Sequence, residues 1–247
     1  MTERCFSAQL GCRYLLDVPT NIGGRTVLVA ALHGFSQNPE DMLSLTRHMV
    51  GPHHAIAAIE GPYGFFLGVG SDKVGYGWIT NRRPAESIRL HHEMVLHVLE
   101  AAGGELAIPA ERRVLLGFSQ PVSLNYRFAG AHPDSVRGVA ALCGAVPGDW
   151  DDAHPGRIRP AVLHIARRHD EFYPAERTEQ YARRLRLRCD DVEFHLLEGG
   201  HRFPSRAGPV WENWLNRIVG QAGYPLGPPA NSSWSLNQSR DNRSRDR

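Results

Sequence analysis

Residues 114–121 read Val-Leu-Leu-Gly-Phe-Ser-Gln-Pro. An apolar run ends in Gly-x-Ser, and the residues that follow can begin a helix. A serine on so sharp a strand-to-helix bend has its hydroxyl exposed at the sheet edge, where it can act as a nucleophile. The fuller form of this turn is Gly-x-Ser-x-Gly, and here its last position is Pro121. Proline has no N–H, but a nucleophile at Ser119 needs the amide of Gln120, one residue earlier. Proline also suits the first turn of a helix. What Pro121 puts at risk is the close packing against a neighbouring strand that glycine permits.

Outward from this turn, strand-like and helix-like patterns alternate. Residues 26–32, Thr-Val-Leu-Val-Ala-Ala-Leu, form a continuous apolar run, as a strand buried on both faces of a parallel sheet requires. His54–Ile59, Val114–Phe118, Gly138–Leu142, Ala161–Ala166 and Val192–Leu197 are further short strands by the same reading. Between them, Ala85–Ala102 sets Ile88, Val95, Leu99 and Ala102 on one stripe, and Gly103-Gly104 reads as its stop. Pro174–Arg188 opens with proline, and Val210–Val219 spaces Val210, Trp214 and Ile218 along one face. Phe6–Val18 reads as an antiparallel hairpin ahead of the alternation. The expected fold class is α/β: a mostly parallel, doubly wound sheet with helices on both faces and its chemistry at the carboxyl ends of the strands.

Composition narrows the function classes. The chain has 247 residues, 42% apolar and 22% charged, as in an ordinary globular protein, and length enough for one large domain. A formal net charge of +2 gives no case for nucleic acid or an anionic membrane surface. No apolar run approaches the roughly 20 residues of a spanning helix, and the polar start has no signal-peptide core. Cys5, Cys12, Cys143 and Cys189 lack Cys-x-x-Cys spacing and read as reduced thiols of a cytoplasmic protein. Residues 1–222 are expected to form a single domain. Residues 223–247 turn to Pro, Asn, Ser and Arg, and so read as a mobile polar tail.

Cleaving an ester takes a nucleophile, a base for its proton, an acid to orient that base, and donors for the oxyanion. With Ser119 as nucleophile, the acid should follow a later strand, and Asp170 does. The base should follow the last strand, and Glu198-Gly-Gly-His201 puts a histidine on a glycine-rich loop there. For the oxyanion, the amide of Gln120 should be joined by one from the loop after an early strand. Leu32-His33-Gly34-Phe35 supplies that of Phe35. The stretch Gly61–Trp78 is rich in glycine and aromatics and lies on the strand-end side. Its Tyr63, Phe65, Phe66, Tyr76 and Trp78 are candidates to line an apolar substrate pocket.

Plainer readings exist for each residue alone. Ser119 can be a structural turn residue, Asp170 a cap for the helix near Pro174, and His201 a loop histidine without a task. Asp190 and Asp191 compete as the acid but precede their strand. His33 reads as shaping its loop, since the base belongs late in the chain. His91-His92-Glu93-Met-Val-Leu-His97 hints at a metal helix, but rings five positions apart point about 140° away from one another on a helix, so no metal site is expected. These histidines read as solvated. What favours the sharper reading is that four elements coincide in one order and one strand context.

Leu32-His33-Gly34, Gly117-Phe118-Ser119-Gln120, Asp170 with its Phe-Tyr-Pro, and Gly199-Gly200-His201 together resemble the phospholipase/carboxylesterase family of α/β-hydrolases, which includes acyl-protein thioesterase-like enzymes. The matching pieces are spread over most of residues 26–220. The resemblance implies an α/β-hydrolase fold, the chain order Ser-Asp-His, and hydrolysis of small-molecule carboxylic esters through an acyl-enzyme, with no cofactor. It also implies a tryptophan near the site, for which Trp78 is best placed. A homodimer through surface helices or an edge strand is a further expectation for this fold. Departures are Pro121 and the sequence Phe35-Ser36-Gln37-Asn38, where the family has a more glycine-rich loop. Activity on longer acyl chains, as a thioesterase or lysophospholipase, is the alternative within this chemistry. A ligand-binding receptor that has lost turnover is the alternative outside it.

Overall fold

The computed structural model describes residues 2, 4, 6, 8–150 and 157–220. The expected tail at 223–247 lies outside them. Among the described residues, seven strands form the main sheet: β1 (Tyr14–Asp17), β2 (Leu28–Leu32), β3 (Ala55–Ile59), β6 (Arg113–Phe118), β7 (Gly138–Leu142), β8 (Ala161–Arg167) and β9 (Val192–Leu197). Their order is β1-β3-β2-β6-β7-β8-β9, parallel throughout except for β1, which runs antiparallel along β3 with Tyr14 opposite Ile59. β4 (Tyr63–Phe66) and β5 (Val74–Gly77) make a separate two-stranded antiparallel ribbon.

The α-helices among the described residues are α1 (Pro39–Val50), α2 (Pro84–Glu105), α3 (Val122–Ala131), α4 (Ala175–Arg188) and α5 (Gly208–Gly220). They cover both faces of the sheet, because successive side chains along a strand point to opposite sides. On β2, Leu28, Ala30 and Leu32 pack with Val95 and Leu99 of α2, Phe128 of α3 and Leu185 of α4. Val29 and Ala31 face the other way, into Met42 and Met49 of α1 and Trp211 and Trp214 of α5. This two-sided burial is why the central strands read as unbroken apolar runs.

Three expectations need correction. The N-terminal segment is not a hairpin: residues 8–13 have no regular structure, and β1 finds its partner in β3. Helix α2 is not stopped by Gly103-Gly104 but continues to Glu105. A Cβ on Gly103 would come within 2.5 Å of the Arg113 guanidinium, so this glycine answers to packing. Finally, His91 is not solvated. It is fully buried against the edge of the Trp78 ring, with Nε2 3.0 Å from Asn125 Oδ1. No helix among the described residues is long and apolar enough to cross a membrane.

Buried histidines make the fold acid-sensitive. Desolvation pushes His91 and His164 down to about 3, and His54 down to about 4. All three stay neutral in the folded chain at pH values where an unfolded imidazole, near its ordinary 6.5, takes a proton. The unfolded state then binds more protons, so stability falls as pH drops below about 6.5. The slope approaches about 1.4 kcal/mol per pH unit for each of the two fully buried rings. Thermal unfolding should therefore occur at a lower temperature at pH 5 than at pH 7. Equal midpoints at the two pH values would contradict this.

Candidate active site

The carboxyl ends of β2, β6, β8 and β9 deliver the candidate residues to one edge of the sheet. Ser119 follows β6 immediately and has φ +63°, a left-handed conformation that costs a serine about 1–3 kcal/mol. The bend is held by Ser119 N–H donating to Leu142 O (2.8 Å) and by Val122 N–H donating back to Ser119 O (3.2 Å). Close packing around it depends on two glycines. A Cβ on Gly117 would sit 2.5 Å from Asn125 Nδ2, and one on Gly144, after β7, would sit 2.4 Å from Val122 Cβ and 2.6 Å from Ser119 O. Pro121 fits this turn: its Cγ would stand 3.6 Å from a Cβ at Gly117, an ordinary contact, and α3 begins at the next residue. Two neighbouring loops also hold non-glycine residues at positive φ, Ser36 at +68° and Cys143 at +48°, so backbone strain gathers here.

His201 lies between the other two candidates. Its Nδ1 is 2.8 Å from Asp170 Oδ2, and its Nε2 is 2.9 Å from Ser119 Oγ. Asp170 is nearly inaccessible and splits its carboxylate between two tasks. Oδ1 accepts the backbone N–H groups of Phe172 and Tyr173, both at 2.9 Å, and Oδ2 faces the imidazole. Asp170 does not cap the helix near Pro174, since α4 begins after Pro174 with no side-chain cap; its Oδ1 holds the turn ahead of that helix while Oδ2 faces the base. The imidazole is stacked on Phe118 and flanked by Phe172 and Tyr173, with ring centroids 5.2, 4.9 and 5.6 Å away.

The loops carrying acid and base are zipped together. Arg168 N–H donates to Leu197 O, His169 N–H to Gly199 O, and Arg168 pairs with Glu198. Gly199 has φ +122°, and a Cβ there would lie 2.7 Å from Arg167 Nη1, so this position in the loop requires glycine. Glu171 accepts the backbone N–H of His201 at 2.9 Å, and that bond lowers its pKa. The competing carboxylates point elsewhere. Asp190 and Asp191, at the start of β9, pair with Arg157 and Arg217 at the opposite edge of the sheet.

The loop after β2 is built around His33. Its Nδ1 bonds Gly34 O (2.8 Å) and its Nε2 accepts the N–H of Gly61 (3.0 Å). Burial lowers its pKa, which keeps the ring neutral, as this pairing requires. Trp78 Nε1 donates to His33 O, and Gln37 Oε1 accepts Gly34 N–H, both at 2.8 Å. Gln120 reaches the same place from the nucleophile bend, its side-chain oxygen accepting Trp78 N–H at 2.7 Å. The Phe35 ring and the Gln120 carboxamide both lie against Gly77, so the two candidate oxyanion loops meet there. Neither the Phe35 nor the Gln120 amide donates a hydrogen bond to another described residue.

The five aromatics proposed for a pocket are scattered by their secondary structure. Trp78 is fully buried, serving the β2 loop through its indole N–H and its own backbone amide. Tyr63 turns toward α2 and bonds Ser87 Oγ (2.9 Å), while Tyr76 turns toward Glu60. Phe65 stacks on Phe35 at 4.9 Å, and Phe66, on the other side of the ribbon, is exposed. Only Phe65 is brought to the rim of the candidate site. The sequence reading did not single out Phe172 and Tyr173 for the site, although both lie in the Phe-Tyr-Pro following Asp170. Their adjacency to the acid was the available signal.

No family model and no curated protein matches the chain. Among solved structures it is similar to the esterase PE8, with 20% identity, a TM-score of 0.65, and 85% of this chain and 100% of that one covered. It is also similar to the Bacillus cereus carboxylesterase, with 15% identity, a TM-score of 0.63 and coverage of 84% and 94%. A phospholipase/carboxylesterase from Dyadobacter fermentans aligns at 18% identity and a TM-score of 0.59, covering 85% and 98%. The chain has the α/β-hydrolase fold.

Proposed function

We propose that this chain is a serine carboxylesterase working through an acyl-enzyme, with Ser119 as nucleophile, His201 as base and acid, and Asp170 as the orienting carboxylate. The observation that carries this reading is the unbroken run of contacts from Asp170 Oδ2 through the imidazole to Ser119 Oγ, 2.8 and 2.9 Å long. A buried carboxylate at Nδ1 keeps the proton on that nitrogen, leaving Nε2 as the acceptor for the serine hydroxyl. Oγ attacks the ester carbonyl as its proton passes to Nε2, and the Phe35 and Gln120 amides receive the oxyanion. The imidazolium, steadied by Asp170, protonates the leaving alcohol. Water then repeats the sequence on the acyl-enzyme, and the acid departs. All these groups come from the chain itself, so the reaction needs no cofactor.

A second reading, hydrolysis of thioesters or lysophospholipids with longer acyl chains, draws support from the exposed rings of Phe35 and Phe172. One belongs to a candidate oxyanion residue and the other packs on the base. p-Nitrophenyl esters from acetate to palmitate, with a thioester alongside, separate the two readings by where kcat/KM peaks. The reaction class itself is tested with a fluorophosphonate, which should label the protein stoichiometrically at Ser119. A protein inert to the probe that still binds esters would be a receptor.

A further inference from the structure

Three successive carbonyls lead up to the base, and residues at the end of β8 bind all three. Arg168 N–H donates to Leu197 O at 2.8 Å, and His169 N–H donates to Gly199 O at 3.0 Å. Between them, the Glu198 carbonyl accepts from Arg167 Nη1. The two outer bonds are made by the backbone and are indifferent to the side chains at 168 and 169. The middle one depends on the side chain at 167.

The guanidinium also forms the floor of the glycine bend. A Cβ at Gly199, where φ is +122°, would meet its Nη1 at 2.7 Å and its Cζ at 3.2 Å. The loop backbone therefore rests on the guanidinium two residues before His201. At its other end, Arg167 O accepts Asp170 N–H at 3.4 Å and opens the turn that carries the acid. One residue thus joins the two loops, by its carbonyl to the acid and by its side chain to the base. The position is costly for a cation. Arg167 is half-buried, its Nε is shut away from solvent without a partner, and among the described residues no carboxylate pairs with it. Arg168, next in the chain, shows the ordinary alternative: an exposed arginine paired with a carboxylate.

From this arrangement we infer that Arg167 is a positioning residue, whose guanidinium sets the base loop over the acid's turn and so keeps His201 in line between Asp170 and Ser119. The inference rests on the esterase reading of the same site. The line is demanding, since Nδ1 has to stay 2.8 Å from Asp170 Oδ2 while Nε2 stays 2.9 Å from Ser119 Oγ. A loop free to move by about an ångström breaks one contact or the other, and misplacement on that scale can cost a reaction about 100-fold. Glu171 holds the loop at its far end by accepting His201 N–H at 2.9 Å, but that carboxylate is exposed and grips from the solvent side. Arg167 grips from beneath. It acts through the base loop alone and moves no proton.

The experiment is steady-state kinetics of Arg167→Ala on p-nitrophenyl acetate, with and without guanidinium chloride at millimolar, non-denaturing concentration, beside fluorophosphonate labelling and thermal unfolding. The expected result is a kcat lowered roughly 10- to 100-fold with KM within about twofold. Labelling should still reach one probe per chain, only more slowly, because the site is intact and the base misplaced. Guanidinium should restore much of the lost rate by filling the space the side chain leaves. Tetramethylammonium, a cation without N–H donors, should not. A contact that mattered only to stability would answer to neither ion. A variant as fast as the unsubstituted protein, or a slow one that guanidinium leaves slow, would overturn the role of Arg167 alone. If Arg167→Ala does not fold, Arg167→Lys decides, since it keeps the stem and the charge but lacks the plane that lies under Gly199. Its kcat should fall about 3- to 10-fold at full labelling, and an undiminished kcat would equally overturn the role. Absence of turnover and of fluorophosphonate labelling in the unsubstituted protein would instead overturn the esterase reading, and this role with it.

Discussion

Ser119→Ala is expected to lower the turnover of p-nitrophenyl esters by about 10⁴-fold or more, with thermal unfolding nearly unchanged. Without the nucleophile only the oxyanion donors and binding remain, and in serine hydrolases these sustain a small residue of the full rate. Stability should survive because the bend does not depend on the hydroxyl. Its backbone bonds to Leu142 and Val122 remain, as do the Gly117 and Gly144 contacts. Alanine at φ +63° is about as strained as serine, so the cost of that conformation is carried over. Fluorophosphonate labelling should disappear with the activity. Turnover within tenfold of the unsubstituted protein would exclude Ser119 as the nucleophile.

Asp170→Asn is expected to cost roughly 10³- to 10⁴-fold in kcat, for a reason visible in the division of its oxygens. Asparagine can keep Oδ1 as acceptor for the Phe172 and Tyr173 amides, which preserves the turn. That leaves an NH₂ group where Oδ2 faced His201 Nδ1. A donor opposite Nδ1 moves the imidazole proton to Nε2, so the ring presents N–H to Ser119 and cannot take its proton. The positive charge formed during attack also loses its counter-ion. The control is Asp190→Asn, whose carboxylate pairs with Arg157 at the far edge of the sheet and whose loss should leave kcat within about twofold. The reverse pattern, with Asp190 essential and Asp170 dispensable, would assign the acid elsewhere.

How much of this was legible in sequence differed by element. Strands buried on both faces, such as residues 28–32 and 138–142, announce themselves, because nothing polar can be tolerated on either side. Helix α1 went unread although Asn38 caps it by accepting Asp41 N–H and Pro39 opens it. Those local signals sit in a stretch otherwise weighed for its part in an oxyanion loop. The ribbon β4–β5 was read as a loop because glycines alternate with its aromatics, as at Gly64, Gly75 and Gly77, and break the usual strand pattern. Trp78 looked like a pocket residue by composition. Its burial follows from a partner 45 residues away, the carbonyl of His33, which no local pattern announces.

The sequence by itself determined the alternating architecture, the strained serine bend, and the order in which a hydroxyl, a carboxylate and an imidazole leave successive strand ends. These follow from local chemistry and from the topology of a parallel sheet, which gathers such ends on one edge. Only the tertiary structure decided which side chains meet there. It put Asp170 at the imidazole and Asp190 at the far edge, drew Trp78 beneath the loop and Phe65 to its rim, and laid the rings of Phe172 and Tyr173 against His201. Those outcomes depend on the directions in which side chains leave the backbone and on partners distant along the chain, and neither is written in any short run of residues.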